Sequence, residues 1–444
     1  EHPDSDHLHI TTVDLGDGTP TQIVCGAANV AAGQHVVVAT VGTKLYDGDK
    51  EFAIKKSKIR GVESFGMICA EDEIGVGTSH DGIIELPETV KPGTLAKDYY
   101  NVKDDYMFEV DLTPNRIDAA SHFGVARDLA AWMKAQGMQA DLHSPSVDAF
   151  HSDRADGAIP VEVECQEAAI RYAGLTIRGV KVAESPEWLR NYLTAIGQRP
   201  INNVVDITNF ILNAYCQPLH CFDLAKVKGN KIVVRPAAEG SKFVTLDGVE
   251  RTMTARDLMI CNAEEPMCIA GVFGGLDSGV TEQTTDIFLE SACFHPTWVR
   301  KTARRQGLNT DASFRFERGV DPNNVIYALK AAALLVKELA GGEICGEISD
   351  FYPAPVERPM VELSLDYMSR LIGKTLDKGL VKTILAALEM EIEKETDDVL
   401  TLRIPTYRVD VTRPCDVVED ILRIYGSIVE RIHLQAVIVA YGSE

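Results

Sequence analysis

Between Ile10 and Pro87 the chain never sustains a helical period. Its short apolar stretches, among them TQIVCGA, QHVVVATVG, FGMICA and GIIELP, are broken by Gly, Asp and Asn. That pattern specifies a small antiparallel barrel, because strands of this length need tight polar turns between them. A barrel of this size is not the whole molecule. At 444 residues the chain exceeds the length at which a single hydrophobic core stops growing, and three or four domains are expected.

Charged residues make up 25% and hydrophobic ones 45%. That is apolar material for several cores, and no apolar run approaches the roughly 18 residues of a membrane span. A soluble, cytoplasmic protein is expected. The 10 cysteines are scattered singly with no CxxC pair, in apolar settings such as Ile23-Val24-Cys25, which reads as reduced core thiols. The first residues, EHPDSDHL, carry neither the basic and apolar regions of a signal peptide nor an initiator Met, so the chain reads as an excised segment.

A formal charge of -22 argues against nucleic-acid binding by bulk attraction. Any RNA site has to be a local patch. The densest basic cluster of the N-terminal stretch is KKSKIRG, with Lys55, Lys56, Lys58 and Arg60. The same lysines also suit a solvated strand edge kept from pairing. His2, His7 and His9 have no Cys or carboxylate beside them that completes a metal set, and read as a polar turn.

After the breaker Pro114, the segment DLTPNRIDAASHFGVARDLAAWMKAQG places Ile117, Phe123, Val125, Leu129 and Trp132 near helical spacing, with an end at Gly137. A polar linker, HSPSVDAFHSDRADG, follows. The largest block then mixes apolar strands such as RYAGLTI with helices and Gly-rich turns, an α+β composition. Its last helix is expected to start at Pro322 under an Asp321 cap and to stop at Gly341 and Gly342. Further on, KGLVKTILAALEMEI predicts an amphipathic helix burying Val381, Ile384, Leu385 and Leu388. Within the large block, NNVVDITNFILNAYCQPLHCFD is apolar yet carries Asp206, Thr208, Asn209 and His220. Such groups need partners when buried, so they satisfy one another or face a ligand.

Four stretches, NNVVDITNFILNAYCQPLHCFD, IAGVFGG, FLESACFHP and TDASFRFERGVDP, resemble in this order the editing domain of the beta-subunit family of bacterial phenylalanyl-tRNA synthetases. The run HPDSDHLHITTVDLG with KIRGVESFGMICAEDEIG resembles the tRNA-binding OB-fold module, and YRVDV followed by VVEDILRIYG continues the likeness. The resemblance implies a multidomain α+β chain. Residues 1–110 would form the OB-fold barrel, 111–149 a partial small helical domain and linker, and 150–356 the α+β editing domain. Residues 357–430, Leu/Ile-rich and helical with short strands, would form a small helical, DNA-binding-like domain, and 431–444 a tail that departs from the family's continuation. The family's extreme N-terminus and C-terminal half are expected to be missing.

The resemblance also implies roles. Glu290 matches the acceptor for a tyrosine hydroxyl, and Thr208, Asn209 and His220 match the residues around the reacting ester. Gly271 and Gly274 match glycines that let backbone approach the ligand, and Thr310 and Ala312 match the pocket wall. Lys55, Lys56, Lys58 and Arg60 would hold tRNA. Asp410, Asp416, Glu419 and Asp420 match the carboxylates that bind magnesium at the junction with the alpha subunit. Read without the resemblance, these are a strand-end carboxylate, a Thr-Asn turn with a core histidine, tight Gly turns, and acids favoured at a helix N-terminus. The implied function is to support ATP-dependent charging of tRNA(Phe) by the alpha subunit, in a heterotetramer of two alpha and two beta chains, and to hydrolyse mischarged Tyr-tRNA(Phe). ATP would be a substrate of the holoenzyme, not of this chain. A Phe-shaped pocket rejects an added hydroxyl only about a hundredfold, which is why such a second sieve exists. The alternative is a non-enzymatic tRNA-binding or assembly module with a vestigial pocket.

Overall fold

The computed structural model describes residues 1–47, 50–77, 79–102 and 106–426. The tail expected at 431–444 lies outside the described residues. The chain divides into two compact units, Glu1–Phe108 and Glu109–Glu444, of mixed α+β architecture.

The first unit is built of short antiparallel pairs, the longest joining His9–Asp14 to Pro20–Cys25. Its small cores gather Val37, Ala39, Leu45 and Cys69, and Ile23, Cys25 and Ile68. The pairing strands Ser57–Ile59 and Val62–Ser64 turn through Arg60 and Gly61, both at positive φ (43° and 89°). Such a mirror-image turn matches the twist of a tight hairpin. It is unusual for an arginine, and it lifts Lys58 and Arg60 into solvent.

The second unit is layered. One antiparallel sheet has the strand order Leu219–Asp223, Asp286–Phe294, Ala169–Arg178, Glu343–Phe351. Alternate residues point to opposite faces. Ala173, Leu175, Ile177, Ile287 and Leu289 face the helices Glu187–Ala195, Asn203–Tyr215 and Asn324–Ala340, meeting Leu193, Ile207, Ile211 and Leu329. Tyr172, Phe222, Phe288 and Phe294 face a second, five-stranded sheet through Ile232, Val234, Ile260 and Ile269. Both faces of the first sheet are therefore buried, which accounts for the near-continuous apolar reading of its strands.

Two sequence expectations need correction. The last helix of the large block begins at Asn324, not Pro322, because Asp321 accepts the amide of Asn323 (2.9 Å) in a turn before the helix. Its stop at Gly341 holds. The helix after Pro114 runs His122–Ala135 from a Ser121 cap, and Ile117 belongs to a separate short turn. Its buried residues are Gly124 and Ala131, whereas Val125 (44%), Leu129 (54%) and Trp132 (43%) are exposed. Small residues, not the apolar stripe, make its close contact. The block from 357 onward combines helices with short strands, as its sequence was read. Met360–Ser364, Val399–Arg403 and Glu391–Glu395 form a three-stranded sheet under helices Leu365–Ile372, Lys378–Ala387 and Pro414–Tyr425. Period-two burial in MVELS and VLTLR is the strand signal there. The helix over KGLVKTILAA buries Val381, Ile384 and Leu385 as expected.

Candidate functional site

On the face between the two sheets, the strand register sets Gly174, Glu290 and His220 in one row, since Glu290 pairs with both of the others. Residues directly opposite in an antiparallel pair project to the same side. Tyr172, two residues before Gly174, shares that face, and its Oη donates to Glu290 Oε2 at 2.8 Å. Gly174 is a glycine for space: a Cβ there would stand 2.0 Å from the ring of Phe288. From the second sheet Gly274 closes on the histidine, where a Cβ would lie 3.3 Å from His220 Cε1. The imidazole also meets the ring of Phe222 edge-on at 4.5 Å.

Burial sets the electrostatics of this layer. Glu290 is only 5% exposed, and burial lifts its carboxyl to about 7 while the Tyr172 hydrogen bond pulls the other way. Burial lowers His220 to about 4, so the imidazole is neutral at neutral pH. His220 Nε2 is buried with no hydrogen-bond partner among the described residues. An unsatisfied buried group of this kind costs about 1–3 kcal/mol, and a ligand that satisfied it would recover that cost. A carboxyl that accepts a phenol, beside a bare imidazole nitrogen, can bind a hydroxyl and orient a polar group next to it.

The other expected residues lie at varying removes. Thr310 caps the helix Asp311–Phe316 and donates to the Val272 carbonyl at 2.9 Å, tying that helix to the turn that holds Gly271. Gly271 has φ 67°, and a Cβ there would crowd Phe294 and Phe316 at 2.9 Å, so it makes room for rings. Ala312 packs against the core shared by the two sheets. Thr208 and Asn209 stand on the helix Asn203–Tyr215, whose Ile207 and Ile211 pack on the sheet's opposite face. The Thr208 hydroxyl donates back to Val205 O at 2.7 Å. The structure thus joins Glu290, His220 and Gly274, and does not join Thr208 or Asn209 to them by a hydrogen bond among the described residues. Tyr172 was missed by sequence reasoning, which took RYAGLTI as a plain apolar strand. The available signal was that a buried phenol needs an acceptor.

Three family descriptions match the chain: "B3/4 domain" over residues 168–341, "tRNA synthetase B5 domain" over 361–426, and a "tRNA binding domain" over 1–95. The central row of residues lies inside the first. Among curated relatives, the phenylalanine–tRNA ligase beta subunit of Bacteroides fragilis is 68% identical over 96% of this chain and 52% of its own length. That of Porphyromonas gingivalis is 61% identical over 96% of this chain and 52% of its own length, and that of Desulfotalea psychrophila 46% over 96% and 51%. The chain belongs to the phenylalanine–tRNA ligase beta-subunit family. It spans about half the length of the curated relatives it matches. No described helix is long and apolar enough to cross a membrane.

Against that family, two further sets of residues take their places. In the tRNA-binding segment Lys55, Lys56, Lys58 and Arg60 are all exposed. Lys56 pairs with Glu63 at 2.8 Å and Arg60 donates to Asp4 O at 2.8 Å. Lys55 and Lys58 have no ion-pair partner among the described residues.

In the B5 segment the four acidic residues do not assemble. Arg408 is buried and pairs with both Asp420 and Asp410, the latter at 3.1 Å, with Asn115 on Asp410 at 3.0 Å. Asp416 serves the helix start, accepting the Arg413 amide at 2.8 Å and its guanidinium at 2.8 Å. Glu419 is exposed while its neighbour Asp420 is buried. Among the described residues no group of three or more candidate ligands is placed to hold a metal ion. The set does not fit magnesium as arranged, because a guanidinium already supplies the positive charge between Asp410 and Asp420.

Proposed function

We propose that the layer between the two sheets is a hydrolytic sieve that clears tyrosine wrongly esterified to tRNA(Phe), within a beta subunit that supports charging of tRNA(Phe) with phenylalanine. The observation that carries this reading is Glu290, a buried carboxyl that already holds a phenol hydroxyl at 2.8 Å. An acceptor kept in an apolar layer rewards a tyrosine hydroxyl and is stranded by a plain benzyl side chain, so it rejects phenylalanine by desolvation. His220 Nε2 has the free capacity to take the ester or the attacking water, and the site works by positioning them. Thr310 and Ala312 set the helix that bounds the layer, and Gly274 keeps the space over the imidazole.

The 1–95 segment is read as an OB-fold module whose exposed Lys55 and Lys58 meet phosphates. ATP and the alpha subunit belong to the whole enzyme in this reading.

A second reading, an assembly or tRNA-binding module with a vestigial pocket, is favoured by one fact: Glu290 and the Nε2 of His220 are both buried. Incubating the chain with Tyr-tRNA(Phe) and with Phe-tRNA(Phe) separates the two. The sieve predicts rapid release of tyrosine only, and at least a tenfold loss in Glu290→Gln. Equal, background release from both esters supports the assembly module.

A further inference from the structure

We propose that Tyr172 is a positioning residue for tyrosine discrimination: its phenol, fixed in the sheet, holds Glu290 oriented and ionised so that the carboxylate can accept a second phenol. The proposal rests on the reading of Glu290 as the tyrosine acceptor. Tyr172 is fully buried and its ring lies against Phe294, 6.4 Å between centroids. Its hydroxyl has Glu290 Oε2 as its acceptor at 2.8 Å. An ionised carboxylate offers roughly four acceptor positions, so one phenol in place leaves room for another.

The titratable groups facing Glu290 are few. Tyr172 comes from one neighbouring strand, His220 from the other, and Cys268 from the second sheet. No lysine or arginine pairs with Glu290 among the described residues. The imidazole is held neutral by burial, and the buried thiol of Cys268 is pushed up by burial and by Glu290 itself. The Tyr172 hydrogen bond is therefore what opposes desolvation and keeps the charged form within reach of neutral pH. A protonated carboxyl carries no charge for a benzyl group to strand, so discrimination between tyrosine and phenylalanine depends on that single donor.

The test removes one oxygen. Tyr172→Phe should raise the pH midpoint of Tyr-tRNA(Phe) hydrolysis by about one unit, a tenfold loss on the acidic limb. The protonated-carboxyl infrared band, assigned by its absence in Glu290→Gln, should move by the same amount. A fluorinated tyrosine at position 172, a stronger donor, should shift both midpoints the opposite way, and it decides the matter if Tyr172→Phe does not fold. Profiles of both variants that overlay the wild type would overturn the proposal. If Glu290→Gln still loses activity in that case, the reading of Glu290 survives alone. A Glu290→Gln chain with unchanged tyrosine release would overturn that reading and this proposal together.

Discussion

Glu290 and His220 titrate in opposite senses, and the consequence is measurable without any substrate. Burial holds the folded Glu290 carboxyl at about 7 against 4.5 unperturbed. The folded chain thus binds the extra proton between those values, and this group's contribution to stability falls as pH rises through them. His220 is held at about 4 against 6.5. The unfolded chain binds its proton first, so this contribution rises with pH over roughly 4 to 6.5. In the shared window the two slopes oppose each other. Urea unfolding of the wild type should show little slope from this pair between about pH 4.5 and 6.5. His220→Gln should lose stability as pH rises there, and Glu290→Gln should gain it, each by up to about 3 kcal/mol. Variants whose slopes match the wild type's would show that neither group is desolvated as described. The family resemblance of the LHCFD and FLESACF stretches named both residues, but their opposition follows from a strand register that no local pattern encodes.

Among the elements, the B5 segment shows how buried ion pairs engage its acidic residues. Arg408 is 3% exposed and stands between Asp410 and Asp420, with Arg116 and Asp118 buried alongside (2.9 Å). Removing one member of a buried pair leaves a charge uncompensated, at a cost of about 3–5 kcal/mol. Arg408→Met should therefore lower the melting temperature strongly, whereas millimolar magnesium should leave the wild type unmoved. A magnesium-dependent rise, abolished in Asp420→Asn, would put a cation among these carboxylates. Acidic residues at three- and four-residue spacing were legible as sharing a helix side. What stayed hidden was Arg408, whose position is set by the turn before the helix. The helix over 324–340 was legible from its Gly stop and the one over 378–387 from its period. Short strands were legible in the 360–403 stretch, but their pairing into one sheet was not, because helices interrupt them.

For the whole molecule, the multidomain α+β organisation was readable from length and from the change of period along the chain. The placement of Thr208 and Asn209 was not. Both sit in the most polar part of an apolar run, and only the layering shows that their helix packs on the sheet face away from Glu290. The account's central claim is that the space between the sheets admits a phenol and refuses a benzyl group. Crystals of the chain soaked separately with tyrosine and with phenylalanine test it most directly. The account predicts tyrosine with its hydroxyl about 3 Å from a Glu290 oxygen, and no bound phenylalanine at the same concentration. Equal occupancy by both amino acids, or tyrosine bound away from Glu290, would contradict it.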